Sequence, residues 1–144
     1  MNFSAKMLRD NALSDKVIVV TGGGSGLGKA MSLEFAKRGA KVVVASRKLE
    51  ECEKVVALIA AEGAEGLAVS CHVGNWDSLE AVVDQVMARF GRIDVLVNNA
   101  GMFRMGPAWD LKPADLQAML SVNVVGTANC AMHALPKMRT AGTG

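Results

Sequence analysis

A doubly wound α/β domain, with a parallel sheet and helices on both of its faces, is the fold class this 144-residue sequence predicts, and three observations predict it. Short apolar runs of strand length alternate with helix patterns along the chain. The runs lack polar alternation, as strands buried on both faces do. The first of them passes through a string of glycines directly into a helix.

The first strand is expected over Lys16 to Val20, feeding Thr21-Gly22-Gly23-Gly24-Ser25-Gly26-Leu27-Gly28. The first helix follows from about Gly26 to Arg38 and stops at Gly39, the glycine expected just past a helix end. A second strand, Lys41 to Ala45, leads to a helix of about Leu49 to Ala61 that stops near Gly63. The third strand is Leu67 to Cys71. Its helix begins after Asn75 or Asp77, carries Leu79, Val82, Val83, Val86 and Phe90 on one face, and stops at Gly91. A fourth strand, Val95 to Asn98, precedes the longest helix, about Pro113 to Arg139. Right-handed crossovers give the strand order 3-2-1-4. No internal repeat, low-complexity tract or linker interrupts the pattern, and one domain is expected.

Composition narrows the function. A chain with 51% apolar residues can bury a sizeable core. A net charge of +2, with the basic residues dispersed, excludes a nucleic-acid stripe. The first ten residues lack the apolar core of a secretory signal, and no uninterrupted apolar stretch long enough for a bilayer is evident, so no membrane partner is expected. Cys52, Cys71 and Cys130 are odd in number, far apart and placed within strand or helix patterns. They read as reduced core thiols of a cytoplasmic protein, neither a disulfide framework nor a zinc site, and no metal is expected.

The glycine string is the leading candidate site. A strand that enters a helix through glycines makes a phosphate cradle, because the helix N-terminus offers free N–H groups and the positive end of its dipole. Gly22 permits the sharp turn, Gly26 lets a pyrophosphate approach the backbone, and Gly28 lets the helix pack closely on the sheet, with Ser25 and Leu27 between them. A flexible turn would use the same residues. The flanking strand and helix, and the second βα unit close behind, favour a dinucleotide.

The end of the second strand, about twenty residues after the glycines, is where a carboxylate would bind an adenosine ribose. Ser46, Arg47 and Lys48 stand there instead. A small hydroxyl beside a guanidinium would receive a 2′-phosphate that a carboxylate would repel. The expected cofactor is therefore NADP(H), with NAD(H) the alternative, unless Arg47 and Lys48 are only a solvated loop.

Three motifs in register, Thr21-Gly22-x-x-x-Gly26-x-Gly28, Asn98-Asn99-Ala100-Gly101 and Asn123 within Ser121-Val122-Asn123-Val124-Val125-Gly126-Thr127, resemble the short-chain dehydrogenase/reductase family along the whole chain. The resemblance implies a Rossmann fold, hydride transfer between a nicotinamide cofactor and a carbonyl or alcohol, and a catalytic role for Asn123. In the family the matching Asn lies at a helix kink and holds a water linked to a catalytic lysine. Asparagine is otherwise a poor choice inside a helix, because its amide competes with the backbone. A buried amide satisfied by local hydrogen bonds is the competing reading.

Asn99, Ala100 and Gly101 close a strand at the carboxyl edge of the sheet, where ligands of such folds sit, although Asn and Gly also make ordinary strand-ending turns. His72 and Val73 stand where the family commonly has Asp-Val beside the adenine. This is a departure: imidazole can still offer one hydrogen bond, or His72 is simply a surface residue. His133 receives no functional reading. In the loop after the fourth strand, Met102, Phe103, Met105 and Trp109 would line an apolar substrate pocket or pack beneath the loop, and Arg104 would meet an acidic substrate group.

The largest departure is an absence. The family uses a tyrosine acid/base, a lysine and a serine, and this sequence has no tyrosine. The resemblance places those residues beyond the matched region, so the expectation is the N-terminal part of a single dinucleotide-binding domain, truncated before the fifth strand and inactive alone. The fourth strand and the face of the long helix bearing Val125, Met132 and Leu135 would then want cover. Homo-oligomer formation is expected by analogy.

A 3-oxoacyl or simple ketone substrate is the leading expectation. The N-terminal arm from Phe3 to Leu13, with Gly23 to Gly28 and Ala45 to Lys48, is also similar to the dienoyl-CoA reductase branch, so an acyl thioester is an alternative substrate. A non-catalytic nucleotide-binding module that needs a partner is the reading from another class.

Overall fold

The computed structural model describes residues 11–142. The arm residues 3–10, part of the likeness to dienoyl-CoA reductases, lie outside the described residues.

The strands are β1 (Val17–Thr21), β2 (Lys41–Ser46), β3 (Gly66–Ser70) and β4 (Val95–Val97), joined in one sheet of order β3-β2-β1-β4 with every pairing parallel. In the register, Val19 sits beside Val43 on one side and Leu96 on the other, and Val43 beside Leu67. Between the strands run α1 (Gly26–Lys37), α2 (Leu49–Ala61) and α3 (Trp76–Phe90).

The apolar strands divide their side chains between two cores, as period-two geometry requires. Val17, Val19, Val43, Ala45 and Val69 meet Leu79, Val82, Val83 and Val86 of α3. Ile18, Val20, Val42 and Val44 meet Ala36 of α1 and Cys52, Val55 and Ile59 of α2. Both faces are covered, which is why these strands show no polar alternation.

Strand ends shift by a residue or so from the sequence expectation. The first strand runs one residue further, because Thr21 still pairs with Ala45. The fourth ends at Val97 rather than Asn98, since the Asn99 N–H turns back to the Val97 carbonyl at 3.0 Å. Asn75 starts α3 by accepting the Ser78 N–H at 2.9 Å, and Gly91 ends it in the left-handed conformation. This resolves the open choice between Asn75 and Asp77.

The long helix is less regular than expected. It comprises α4 (Pro113–Leu120), a π segment (Ser121–Gly126) and α5 (Thr127–Ala141), ending at Gly142. A π turn inserts an extra residue into the helical ladder, and such turns concentrate at functional sites. The helix packs on β4 and α3 through Cys130 and Ala134, which join the first core. His133 packs on Trp76, with ring centroids 4.0 Å apart.

Pro113–Ala141 is also long and apolar enough, by length and composition, to cross a membrane, with 22% of its apolar window buried. The sequence expectation was narrower, that no uninterrupted apolar stretch of that length exists. That expectation sought an unbroken apolar run, whereas here Ser121, Asn123, Thr127 and Asn129 are interleaved with apolar residues.

The opposite face of this helix exposes Val124, Val125, Met132 and Leu135, and β4 forms a sheet edge with Val95 exposed. Asp94, just before β4, is buried and accepts the Val17 N–H at 2.9 Å, while Arg92 Nη2 reaches its carboxylate at 2.6 Å. That pairing fixes the start of β4 against β1.

Candidate functional site

The carboxyl ends of all four strands open into one cleft of about 860 Å³. Its lining brings together Gly22, Ser25, Gly26, Leu27 and Gly28 after β1, Ser46, Arg47 and Lys48 after β2, His72 and Val73 after β3, and Asn99, Ala100 and Gly101 after β4. All thirteen residues read from the sequence as cofactor-contacting share this one surface.

At the glycine loop, Gly22 has φ +67° and turns the chain out of β1. A Cβ on Gly28 would collide with the Gly22 carbonyl and come within 2.6 Å of Asn99 Nδ2. Only glycine lets α1 begin this close to the strand ends. Gly26, by contrast, has open space around it. Ser25 flanks the helix start without a side-chain cap, so the first N–H groups of α1 take no acceptor from it. Leu27 is largely exposed beside them. The open space over Gly26, facing uncapped helix N–H groups, fits an anionic pyrophosphate.

The β4 end is tied to this loop. Asn99 Nδ2 donates to the Thr21 carbonyl at 3.0 Å and to the Gly22 carbonyl at 3.3 Å. The buried Thr21 hydroxyl accepts the N–H groups of Asn99 and Ala100, both at 3.1 Å, and donates to the Val97 carbonyl at 3.2 Å. Sequence reasoning named Thr21 only as the head of a motif. A hydroxyl at the end of an otherwise apolar strand was the signal that could have singled it out.

Asn123 projects from the π segment to the loop after β4. Its Oδ1 accepts the Met102 N–H at 2.9 Å and its Nδ2 donates to the Met102 carbonyl at 2.8 Å. Thr127 Oγ1 donates to the Asn123 carbonyl at 2.9 Å. The side chain is exposed rather than buried, and both of its ends are engaged locally. Asn123 does not line the cleft itself, but a Cβ on Gly101 would stand 3.4 Å from its Oδ1.

The π segment and the first turn of α5 also hold the β3 end. A Cβ on Gly126 would lie 2.6 Å from Val73 Cγ2, and Asn129 Nδ2 donates to the Val73 carbonyl at 3.2 Å. Val73 is buried in the first core, so its side chain serves packing as well as the cleft wall. His72 is exposed, and its N–H donates to Ser78 Oγ at 3.0 Å.

At the β2 end, Arg47 and Lys48 are exposed. Ser46 Oγ donates to the Lys48 carbonyl at 3.3 Å and accepts from the Cys52 thiol at 3.2 Å. Its single proton is thus engaged, and it would have to turn away from Lys48 to donate to a phosphate. Glu51, in the first turn of α2, also lines the cleft and was missed in the sequence. Glu50 and Glu51 both stand in that helix's first turn, and nothing local separates the one that reaches the cleft.

The loop after β4 differs from expectation in part. Met102 and Phe103 reach the cleft, whereas Met105 and Trp109 are almost wholly exposed. Arg104 is paired with Asp115 at 3.1 Å, so it is engaged within the chain rather than held open for a substrate acid. The three cysteines are free and buried; burial pushes the Cys71 thiol up to about 11 and Cys130 up to about 12. Among the described residues, no group of three or more His, Cys, Asp or Glu is placed to hold a metal.

The family model described as short chain dehydrogenase matches residues 16–144. The chain is 35% identical over 135 residues to D-threitol dehydrogenase of Mycolicibacterium smegmatis, covering 94% of this chain and 52% of that protein. It is 40% identical over 120 residues to the 3-oxoacyl-[acyl-carrier-protein] reductase of a Synechocystis species, covering 83% and 49%. Among solved structures, a short-chain type dehydrogenase/reductase from Mycobacterium marinum superposes with a TM-score of 0.88 at 32% identity, covering 92% and 52%. The chain spans about half the length of the curated relatives it matches.

Proposed function

The chain belongs to the short-chain dehydrogenase family, and from that premise we propose that it is the cofactor-binding part of an NADP(H)-dependent oxidoreductase acting on a carbonyl or alcohol. One observation carries the reading: a single cleft gathers the glycine loop, the basic β2 end and the β4 turn. The pyrophosphate would lie over Gly26 at the N-terminus of α1. Arg47 and Lys48 would receive the 2′-phosphate, and Gly101 with Met102 would border the nicotinamide. His72 and Val73 would flank the adenine.

The bound nicotinamide supplies the hydride chemistry. The residues of this chain bind and orient it. Asn123 holds the backbone of Met102 by two hydrogen bonds, which keeps the far wall of the cleft in place. Its assignment as catalytic belongs to the same proposal, as the residue that would hold a water linked to the family's lysine. The serine, tyrosine and lysine of the family's proton transfer are not met at their family positions in these 144 residues, which contain no tyrosine, so turnover is assigned to the whole protein.

A 3-oxoacyl or ketone substrate is supported by the likeness to the Synechocystis reductase. Reduction of an acyl-thioester double bond is the alternative. A cytoplasmic location and assembly into a homo-oligomer through the exposed face of the long helix complete the proposal.

The test is titration of the full polypeptide with NADPH and NADH, followed by nicotinamide fluorescence. NADPH is expected to bind more tightly, and Arg47→Ala to weaken NADPH by about tenfold or more while sparing NADH, the loss of one charge-assisted hydrogen bond. Equal affinities with no effect of Arg47→Ala would reject the NADP(H) reading. No binding of either dinucleotide would reject the function.

A further inference from the structure

The ribose end of the cleft carries an acid that a phosphate pocket would not obviously want. Glu51 lines the cleft with Ser46, Arg47 and Lys48. Gly24 shows how close it stands: a Cβ built there would be 3.0 Å from Ser46 Oγ and 3.2 Å from Glu51 Cβ. The acid therefore rises from immediately behind the glycine loop, next to the hydroxyl that marks the ribose position.

Glu51 is not left alone. Lys54 Nζ donates to Glu51 Oε1 at 2.8 Å. The Lys54 hydrogen bond and charge, with smaller contributions from Lys48 and Lys29, hold the Glu51 carboxyl below its ordinary range. At neutral pH it is a carboxylate. A 2′-phosphate entering between Arg47 and Lys48 would bring two further negative charges toward it, and a ribose 2′-hydroxyl would bring none.

We infer that Glu51 is a specificity-determining residue, which opposes a cofactor 2′-phosphate at the ribose end of the cleft, and that Lys54 is a positioning residue, which offsets this by pairing with it. The inference rests on the dinucleotide-binding reading above. It concerns the ratio of the two affinities, whichever cofactor the wild-type protein prefers.

The experiment is a double-mutant cycle on the full polypeptide, with NADPH and NADH dissociation constants measured for wild type, Glu51→Gln, Lys54→Gln and the pair. Glu51→Gln is expected to tighten NADPH about fivefold, the effect of removing one charge roughly 8 Å from a dianion in water, and to leave NADH within about twofold. Lys54→Gln is expected to weaken NADPH by a smaller factor when Glu51 is present, and to change nothing in the Glu51→Gln background. A helix-stability effect would move both cofactors together, and that result overturns the inference, as does no change with Glu51→Gln. Loss of NADPH affinity with Lys54→Gln in both backgrounds overturns the role given to Lys54, since it would then touch the phosphate itself. Arg47→Ala separates the two readings: if it is neutral while Glu51→Gln still tightens NADPH, the Arg47 assignment fails and the Glu51 assignment stands.

Discussion

Thr21 and Asn99, 78 residues apart, hold each other reciprocally: the Asn99 backbone N–H donates to the Thr21 hydroxyl at 3.1 Å, and the Asn99 side chain donates to the Thr21 carbonyl at 3.0 Å. The pair locks the end of β4 to the end of β1 where the glycine loop begins. The Ala100 N–H shares the same hydroxyl, so one buried oxygen holds three backbone groups of the turn after β4.

Thr21→Val tests this lock at nearly constant volume. It would leave the Asn99 and Ala100 N–H groups without that acceptor and the Val97 carbonyl without that donor, at an expected cost of about 1–3 kcal/mol of unfolding free energy in a urea titration. Thr21→Ser should retain most of the stability. Equal stability of Thr21→Val and wild type would show that the hydroxyl is dispensable.

Asn123→Ala removes both bonds to Met102 while leaving the helix backbone intact. Because the site is exposed, the effect should be local: amide hydrogen exchange at Met102 is expected to quicken by about tenfold, with a smaller change in global stability. Unchanged protection at Met102 would mean that the loop is held by its own backbone.

The buried thiols give a pH dependence. Cys71 and Cys130 are raised by burial from 9.0 to about 11 and about 12, so the folded state holds their protons after the unfolded state has lost them. Their contribution is fully present below pH 9 and falls as pH rises toward 11 to 12. Unfolding free energies measured from pH 8 to 11 should decline, and the decline should be shallower in the Cys71→Ala/Cys130→Ala variant. A parallel decline in both would assign it to other groups.

Much of the fold was legible because its signals are local. Val42, Val43 and Val44 read as a doubly buried strand without knowledge of their neighbours, and Gly39, Gly63 and Gly91 marked helix ends from adjacent residues alone. The cleft residues were legible too, since the carboxyl ends of parallel strands lie on one side once the strand order is known. The π segment was not, because nothing in Ser121 to Gly126 distinguishes an extra residue in the ladder from a regular turn. The engagement of Arg104 with Asp115 and the placement of Glu51 behind Gly24 were also invisible, each depending on how one loop falls against a different element.

The sequence by itself determined the alternation of strands and helices, the parallel order 3-2-1-4 and the end of the sheet at which the cleft opens, because apolar periodicity and glycine placement act over a few residues. Only the tertiary structure decided that Thr21 binds Asn99, that Asp94 anchors β4 beneath Val17, that Asn123 grips Met102 and that Glu51 stands behind Gly24 at the cleft wall. Those are contacts between side chains and distant backbone, made when the sheet closes its register, and no local pattern specifies which polar groups burial will bring together.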